Sequence, residues 1–116
     1  MKVIIAGSRT ILKYSLVPLA VARSGFKITE VVCGGARGVD SLGMRWAIEN
    51  GIPYKLFPAS WAAFGKQAGF RRNTQMAEYA DALIAITNGS PGTRHMIEEA
   101  QMRNRKVFIL VQRGVV

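Results

Sequence analysis

The residues best suited to chemistry lie in three short turns rich in glycine and small polar side chains. These turns are Gly7-Ser8-Arg9, Gly34-Gly35-Ala36-Arg37-Gly38 and Asn88-Gly89-Ser90-Pro91-Gly92-Thr93. Each follows an apolar run, and the third also precedes a helical stretch, so backbone N–H groups and the positive end of a helix dipole would face a ligand there. One such turn is an ordinary strand-to-helix connection. Three together predict a phosphate-binding crevice.

Side chains near these turns supply the candidate ligand contacts. Arg9 and Arg37 follow strand ends, where a guanidinium can hold a phosphate through two hydrogen bonds or point into solvent. Arg72 is preferred to Arg71 because consecutive helical residues point about 100° apart, so only one of them can face the crevice. The predicted ligand-binding residues are Gly7, Ser8, Arg9, Gly34, Gly35, Ala36, Arg37, Arg72, Asn73, Asn88, Gly89, Ser90, Gly92 and Thr93.

The sequence assigns no catalytic residue. The hydroxyl residues of the turns have no histidine or acidic partner at motif spacing, which argues against a serine nucleophile. His95 can titrate near neutral pH, but its position in the first turn of a helix favours a capping or surface role. Trp61 and Phe64 could stack on a base, although core packing or a subunit interface is the preferred interpretation.

The composition indicates an anionic partner. The 116 residues carry a net charge of +9, with eight basic residues up to Pro58 and eight beyond it, so the excess is spread over the chain. The single cysteine, Cys33, ends an apolar run and is expected to be a buried thiol. No cofactor and no metal site are predicted. The chain shows neither a signal-peptide pattern nor a membrane-spanning run, which favours a soluble, cytoplasmic protein without membrane partners.

Strands and helices alternate along the sequence. Asp40 is expected to cap the second helix, with a contact to a ribose as the alternative, and residues 58–69 are expected to form an irregular loop. Apolar strands separated by single helices predict an α/β fold, a Rossmann-like three-layer sandwich with a five-stranded parallel sheet in one domain, residues 1–116. Ligands bind such sheets beyond the carboxyl ends of the strands, here between the first and fourth strands. The predicted strands are 2–6, 29–33, 53–57, 82–86 and 106–111, and the predicted helices are 15–23, 40–49, 71–80 and 93–103.

Several motifs, distributed over nearly the whole chain, form a combination that is more specific than any one of them. They are Gly7-Ser8-Arg9, the run from Gly34 to Asp40, Gly65-Lys66-Gln67-Ala68-Gly69 leading to Arg72-Asn73 and Met76, and Gly92-Thr93. In this combination the chain resembles the YspA-type members of the SLOG superfamily, which also includes LOG-type phosphoribohydrolases and DprA-type DNA-binding proteins. The resemblance implies a Rossmann-like sheet, a site for a nucleotide or nucleotide-derived ligand, and assembly into a homo-oligomer.

The resemblance also bears on catalysis. LOG enzymes cleave the base from a nucleoside monophosphate and carry an arginine and a glutamate in their motifs. Arg72 matches the arginine, but Met96 stands at the glutamate position. Methionine can neither stabilise an oxocarbenium-like charge nor carry a proton. Glu98 and Glu99 lie further along the helix, where solvated or ion-paired roles are expected.

Three functions remain open. The preferred one is a non-catalytic protein that binds a phosphate-containing nucleotide signal, as a sensor or as a sequestering sponge. The first alternative is a LOG-like hydrolase of the N-glycosidic bond of nucleotides. The second is a DprA-like nucleic-acid binder, which the charge supports and the lack of a basic run with interleaved aromatic residues opposes.

Overall fold

The protein contains one five-stranded parallel sheet. The computed structural model describes residues 1–113, apart from the side chain of Lys66. The strands are β1 (Lys2–Gly7), β2 (Glu30–Cys33), β3 (Tyr54–Leu56), β4 (Ala82–Thr87) and β5 (Lys106–Val111). They lie in the order β3-β2-β1-β4-β5, and every neighbouring pair is parallel. This arrangement confirms the predicted α/β, Rossmann-like class and the contact between the first and fourth strands.

Helices cover both faces of the sheet. They are α1 (Leu16–Ser24), α2 (Val39–Glu49), α3 (Trp61–Phe64), α4 (Ala68–Tyr79) and α5 (Pro91–Met102), with a 3₁₀ turn at Gly65–Gln67. Because successive strand residues point to opposite faces, Val3 and Ile5 of β1 pack with α1 and α2, whereas Ile4 packs with α4 and α5. In residues 1–113 no helix is both long and apolar enough to cross a bilayer.

Two helix starts and one loop differ from the predictions. Helix α5 begins at Pro91 rather than Thr93, because the first helical position does not need an N–H. Helix α4 begins at Ala68 rather than Arg71. The segment 58–69 is not irregular throughout, since it contains α3 and the 3₁₀ turn. Helix α3 buries no residue, so no apolar periodicity announced it.

The predicted cap at Asp40 is also wrong. Gly38 occupies the position before α2, with a φ of 73° that favours glycine, so Asp40 is already the second residue of the helix. Its side chain instead accepts a hydrogen bond from the N–H of Ala36 at 3.4 Å, within the turn after β2. A residue expected to cap the start of a helix therefore stabilises one of the predicted ligand-binding turns.

Candidate functional site

A cavity of about 390 Å³ opens at the carboxyl ends of β1 and β4. The two strands pair Gly7 with Ile86, so the turns that follow them face each other. We call this space the central cavity. It is lined by Ala6, Gly7, Ser8, Arg9, Thr10, Ala36, Asp40, Trp61, Gly69, Phe70, Arg72, Asn73, Met76, Ser90, Pro91, Gly92, Thr93 and Met96. The crevice predicted between the first and fourth strands is thus present.

Hydroxyl groups join the two facing turns. The hydroxyl oxygens of Ser8 and Ser90 lie 2.9 Å apart, and those of Ser90 and Thr93 are also 2.9 Å apart. The backbone N–H of Asn88 donates to Ser8 Oγ at 3.0 Å. Ser8 and Thr93 are both buried. This network holds the β1 turn against the start of α5 and fixes the shape of the cavity.

The turn before α5 presents fewer free donors than its sequence predicts. The N–H of Asn88 is taken by Ser8, and the N–H of Gly89 donates to Thr87 Oγ1 at 2.9 Å. Pro91 has no N–H. Gly92 and Thr93 are the second and third residues of α5, where N–H groups have no partner inside the helix. These two N–H groups, at the positive end of the helix, are the donors best placed for an anion.

Arg72 and Asn73 connect the turn after β2 to α5. Arg72 Nη1 donates to the carbonyl oxygen of Gly34 at 2.6 Å, and Arg72 Nε donates to Asn73 Oδ1 at 3.2 Å. Asn73 Nδ2 in turn donates to the carbonyl oxygen of Gly92 at 3.2 Å. Arg71 points elsewhere and is exposed, with its guanidinium 4.2 Å from the ring centre of Phe64. The preference for Arg72 over Arg71 therefore agrees with the geometry.

Asp40 is a buried carboxylate in the wall of the central cavity, and only 4% of its surface is exposed. Burial raises the pKa of Asp40, while nearby Arg72 and the backbone N–H groups of Ala36, Gly34 and Gly7 act in the opposite direction. Burial likewise lowers the pKa of Arg72, which the charge of Asp40 partly offsets. The two side chains stabilise each other's charged forms. The sequence offered no signal for this, since Asp40 has the spacing of a helix cap.

A second cavity, of about 360 Å³, adjoins the first. We call it the arginine cavity, and it is lined by Arg9, Gly34, Gly35, Ala36, Arg37, Leu56, Pro58, Ala59, Trp61 and Arg72. The predicted ligand-binding residues thus fall into two neighbouring spaces. Asn88 and Gly89 line neither of them; both are exposed.

Aromatic residues lie exposed at the mouth of the central cavity. Trp61 is 52% exposed and lines both cavities, and Phe64 is 45% exposed, so neither is a core residue. Phe70 also lines the central cavity and packs against His95, with ring centres 4.4 Å apart and ring planes inclined by 47°. His95 Nδ1 lies 3.2 Å from Asn73 Nδ2, so His95 is part of the wall behind the cavity rather than a cap. Phe70 was not predicted, because no periodicity marks it.

The remaining candidates have structural roles. Cys33 is buried, as predicted, and burial raises its pKa to about 11, so it stays a thiol at neutral pH. Glu99 lies 3.4 Å from Arg103 and accepts a hydrogen bond from Thr74, which confirms the expected ion-paired role. The Thr74 hydrogen bond also lowers the pKa of Glu99. Among residues 1–113, no group of three or more histidine, cysteine and acidic side chains is arranged to hold a metal ion.

Comparisons with known proteins support the fold and the family. The chain is 40% identical over 111 residues to the Gene 61 protein of Mycobacterium phage D29, an alignment that covers 86% of this chain and 88% of that protein. The fold matches the X-ray structure of DNA processing protein A (DprA) from Streptococcus pneumoniae with a TM-score of 0.76 at 19% identity. That match covers 99% of this chain and 51% of the DprA chain, so this chain spans about half the length of DprA. Residues 1–64 match the YspA, cpYpsA-related SLOG family, to which the chain therefore belongs.

Proposed function

We propose that this protein binds a phosphate-containing nucleotide derivative in the central cavity without turning it over, as a sensor or a sequestering protein. One observation carries the proposal. The central cavity combines the N–H donors of Gly92 and Thr93 with an apolar wall that includes Met76 and Met96. The donors suit a phosphate, and the apolar wall suits a sugar and base. Membership of the SLOG family supports a nucleotide-related role in general.

The absence of turnover rests on Met96. This side chain is 1% exposed and lines the cavity at the position where LOG-type enzymes carry a glutamate. A thioether supplies neither a negative charge nor a proton to a departing base. His95 contacts Phe70 and Asn73 and is not among the residues that line the cavity. The cavity therefore has hydrogen-bond donors and an apolar wall for binding, but α5 contributes no carboxylate to its lining.

A second candidate function, hydrolysis of the nucleotide, is favoured by Asp40. It is the one carboxylate among the residues that line the central cavity. Because burial raises its pKa, Asp40 resembles the buried acids that donate protons in catalysis. Its neighbour Arg72 opposes that shift without reversing it, and binding is the preferred function because Met96 stands at the LOG glutamate position.

The test combines calorimetry with mass spectrometry. We expect adenosine monophosphate to bind about 10–150-fold more tightly than adenosine, since charge-assisted hydrogen bonds to the phosphate contribute about 1.5–3 kcal/mol. After prolonged incubation the nucleotide should be recovered intact. Free base that appears over multiple turnovers with the parent protein and not with Asp40→Asn would support the hydrolase instead. Equal affinity for adenosine and its monophosphate would contradict both functions.

A further inference from the structure

The two cavities are parts of one continuous surface. Arg9, Ala36, Trp61 and Arg72 line both of them. The two volumes are similar, about 390 and 360 Å³, so each is large enough to hold part of a ligand. A ligand that fills the central cavity can therefore extend past Trp61 into the arginine cavity.

The charges in the two cavities differ. The arginine cavity has three guanidinium groups, those of Arg9, Arg37 and Arg72, and no acidic residue among its lining residues. In the part of the chain that the structure describes, the ion pairs involve other residues, Arg45 with Glu49 and Arg103 with Glu99. The proximity of Arg9 also lowers the pKa of Arg72, which is the sign of repulsion between the two cations. A bound anion would relieve this repulsion.

The glycine-rich turn after β2 leaves room for the guanidinium of Arg72 beside the arginine cavity. Gly34 is buried, and a side chain at this position would collide with the guanidinium of Arg72. Gly35 has a φ of 75°, which turns the chain away from β2 and exposes the segment before Arg37. Arg72 uses two of its five N–H groups in the bonds to Gly34 and Asn73. Its guanidinium is thus held in place with donors to spare.

We infer that the ligand carries two separated phosphate groups, one at the start of α5 and the other in the arginine cavity. This inference rests on the proposed function, because it assumes that a nucleotide occupies the central cavity. The ligand class is then a nucleotide phosphorylated at two positions, or a short oligonucleotide, rather than a nucleoside monophosphate. A substitution of Arg37 tests the second phosphate site alone, since Arg37 lines the arginine cavity and not the central cavity.

The experiment compares three probes by calorimetry: adenosine monophosphate, adenosine 3′,5′-bisphosphate and 5′-phosphorylated diadenylate. The parent protein should bind at least one of the doubly phosphorylated probes about 10–150-fold more tightly than the monophosphate. Arg37→Ala should remove about tenfold or more of that advantage and change the affinity for the monophosphate by less than about twofold. The matched control is Arg23→Ala, which removes one exposed positive charge near the end of α1, outside both cavities.

The outcomes separate the two proposals. If none of the probes binds, the proposed function fails, and the inference fails with it. If all three bind with the same affinity, the proposed function stands and the inference is overturned. If Arg37→Ala weakens the monophosphate as much as the other probes, or if Arg23→Ala has the same effect as Arg37→Ala, the arginine acts through net charge alone and there is no second phosphate site.

Discussion

Arg72 is the residue on which the two walls of the site depend. It links the turn after β2, through the carbonyl of Gly34, to Asn73, and Asn73 in turn contacts the start of α5. It also provides positive charge beside the buried carboxylate of Asp40. Because Arg72 lines both cavities, a ligand in either space would contact it. We therefore expect Arg72 both to bind the ligand and to hold the two walls of the site in position.

We predict that Arg72→Ala weakens the binding of adenosine monophosphate about 10–150-fold, because it removes one charge-assisted hydrogen bond, which contributes about 1.5–3 kcal/mol to the binding free energy. The protein should remain folded, because Arg72 is only partly buried and belongs to neither hydrophobic core cluster. Calorimetry gives the affinity, and circular dichroism checks the fold. The neighbouring variant Arg71→Ala is the control, since Arg71 is exposed and lines neither cavity. Unchanged affinity in a folded Arg72→Ala protein would refute this role.

At the residue scale, the sequence indicated which residues line the cavities better than it indicated which of them contact one another. Helical geometry favoured Arg72, and Arg72 lines both cavities whereas Arg71 lines neither, because the 100° step between helical residues does not depend on the rest of the fold. Asp40 was misassigned because its function depends on Arg72, 32 positions away in the chain. For Trp61 the core interpretation is wrong because the side chain is exposed, while the base-stacking and subunit-interface interpretations stay predictions. Contacts between residues that are distant in the chain could not be predicted from single motifs.

Among the elements, the strands were the most predictable. Runs such as Ala82–Thr87 are buried at every position, which is the pattern of a central strand in a parallel sheet. Short edge elements were less predictable: β3 has three exposed residues, and α3 has a single turn without a buried residue. Neither has a hydrophobic face that could reveal its period. The errors at the starts of α4 and α5 are small but move residues from the loop into the helix at the mouth of the site.

The close approach of β1, β4 and α2 leads to a prediction about stability. A side chain on Gly7 would overlap the carbonyl oxygen of Ile86 and crowd Val39. Gly7→Ala should therefore lower the free energy of unfolding by about 1–3 kcal/mol, the usual cost of overpacking. Gly92→Ala is the matched control, because space is open around Gly92 and α5 is already helical there. Its unfolding free energy should be unchanged or higher by up to about 1 kcal/mol.

Urea unfolding, followed by circular dichroism, measures both variants. If Gly7→Ala is as stable as the parent protein, the packing of the β1 turn against β4 is looser than the structure indicates. If Gly92→Ala is as unstable as Gly7→Ala, the loss reflects glycine replacement at this edge of the sheet in general.

At the scale of the whole molecule, the positive charge has two possible uses. Sixteen basic residues face seven acidic ones, and this excess would attract either a small nucleotide or a strand of nucleic acid. The fold match with DprA shows shared architecture and leaves this choice open. The exposed aromatic residues Trp61, Phe64 and Phe70 offer surfaces on which bases could stack. The number of phosphates that the protein contacts distinguishes binding of a small nucleotide from binding of a nucleic-acid strand.

We predict that the affinity for a doubly phosphorylated nucleotide depends only weakly on salt. Each phosphate neutralised on a single strand contributes about −0.7 to the slope of log K against log salt, so two phosphates give a slope of about −1.4. A strand that crosses both cavities and the exposed arginines would engage about five phosphates or more, with a slope of about −3.5 or steeper.

Titrations between 50 and 200 mM salt, with the nucleotide and with single-stranded DNA in a gel-shift assay, measure both slopes. We expect DNA binding that is weak and lost within this range, while nucleotide binding persists. Tighter binding of the DNA, with the steeper slope and with competition by DNA for the nucleotide, would identify the protein as a nucleic-acid binder and overturn the proposed function.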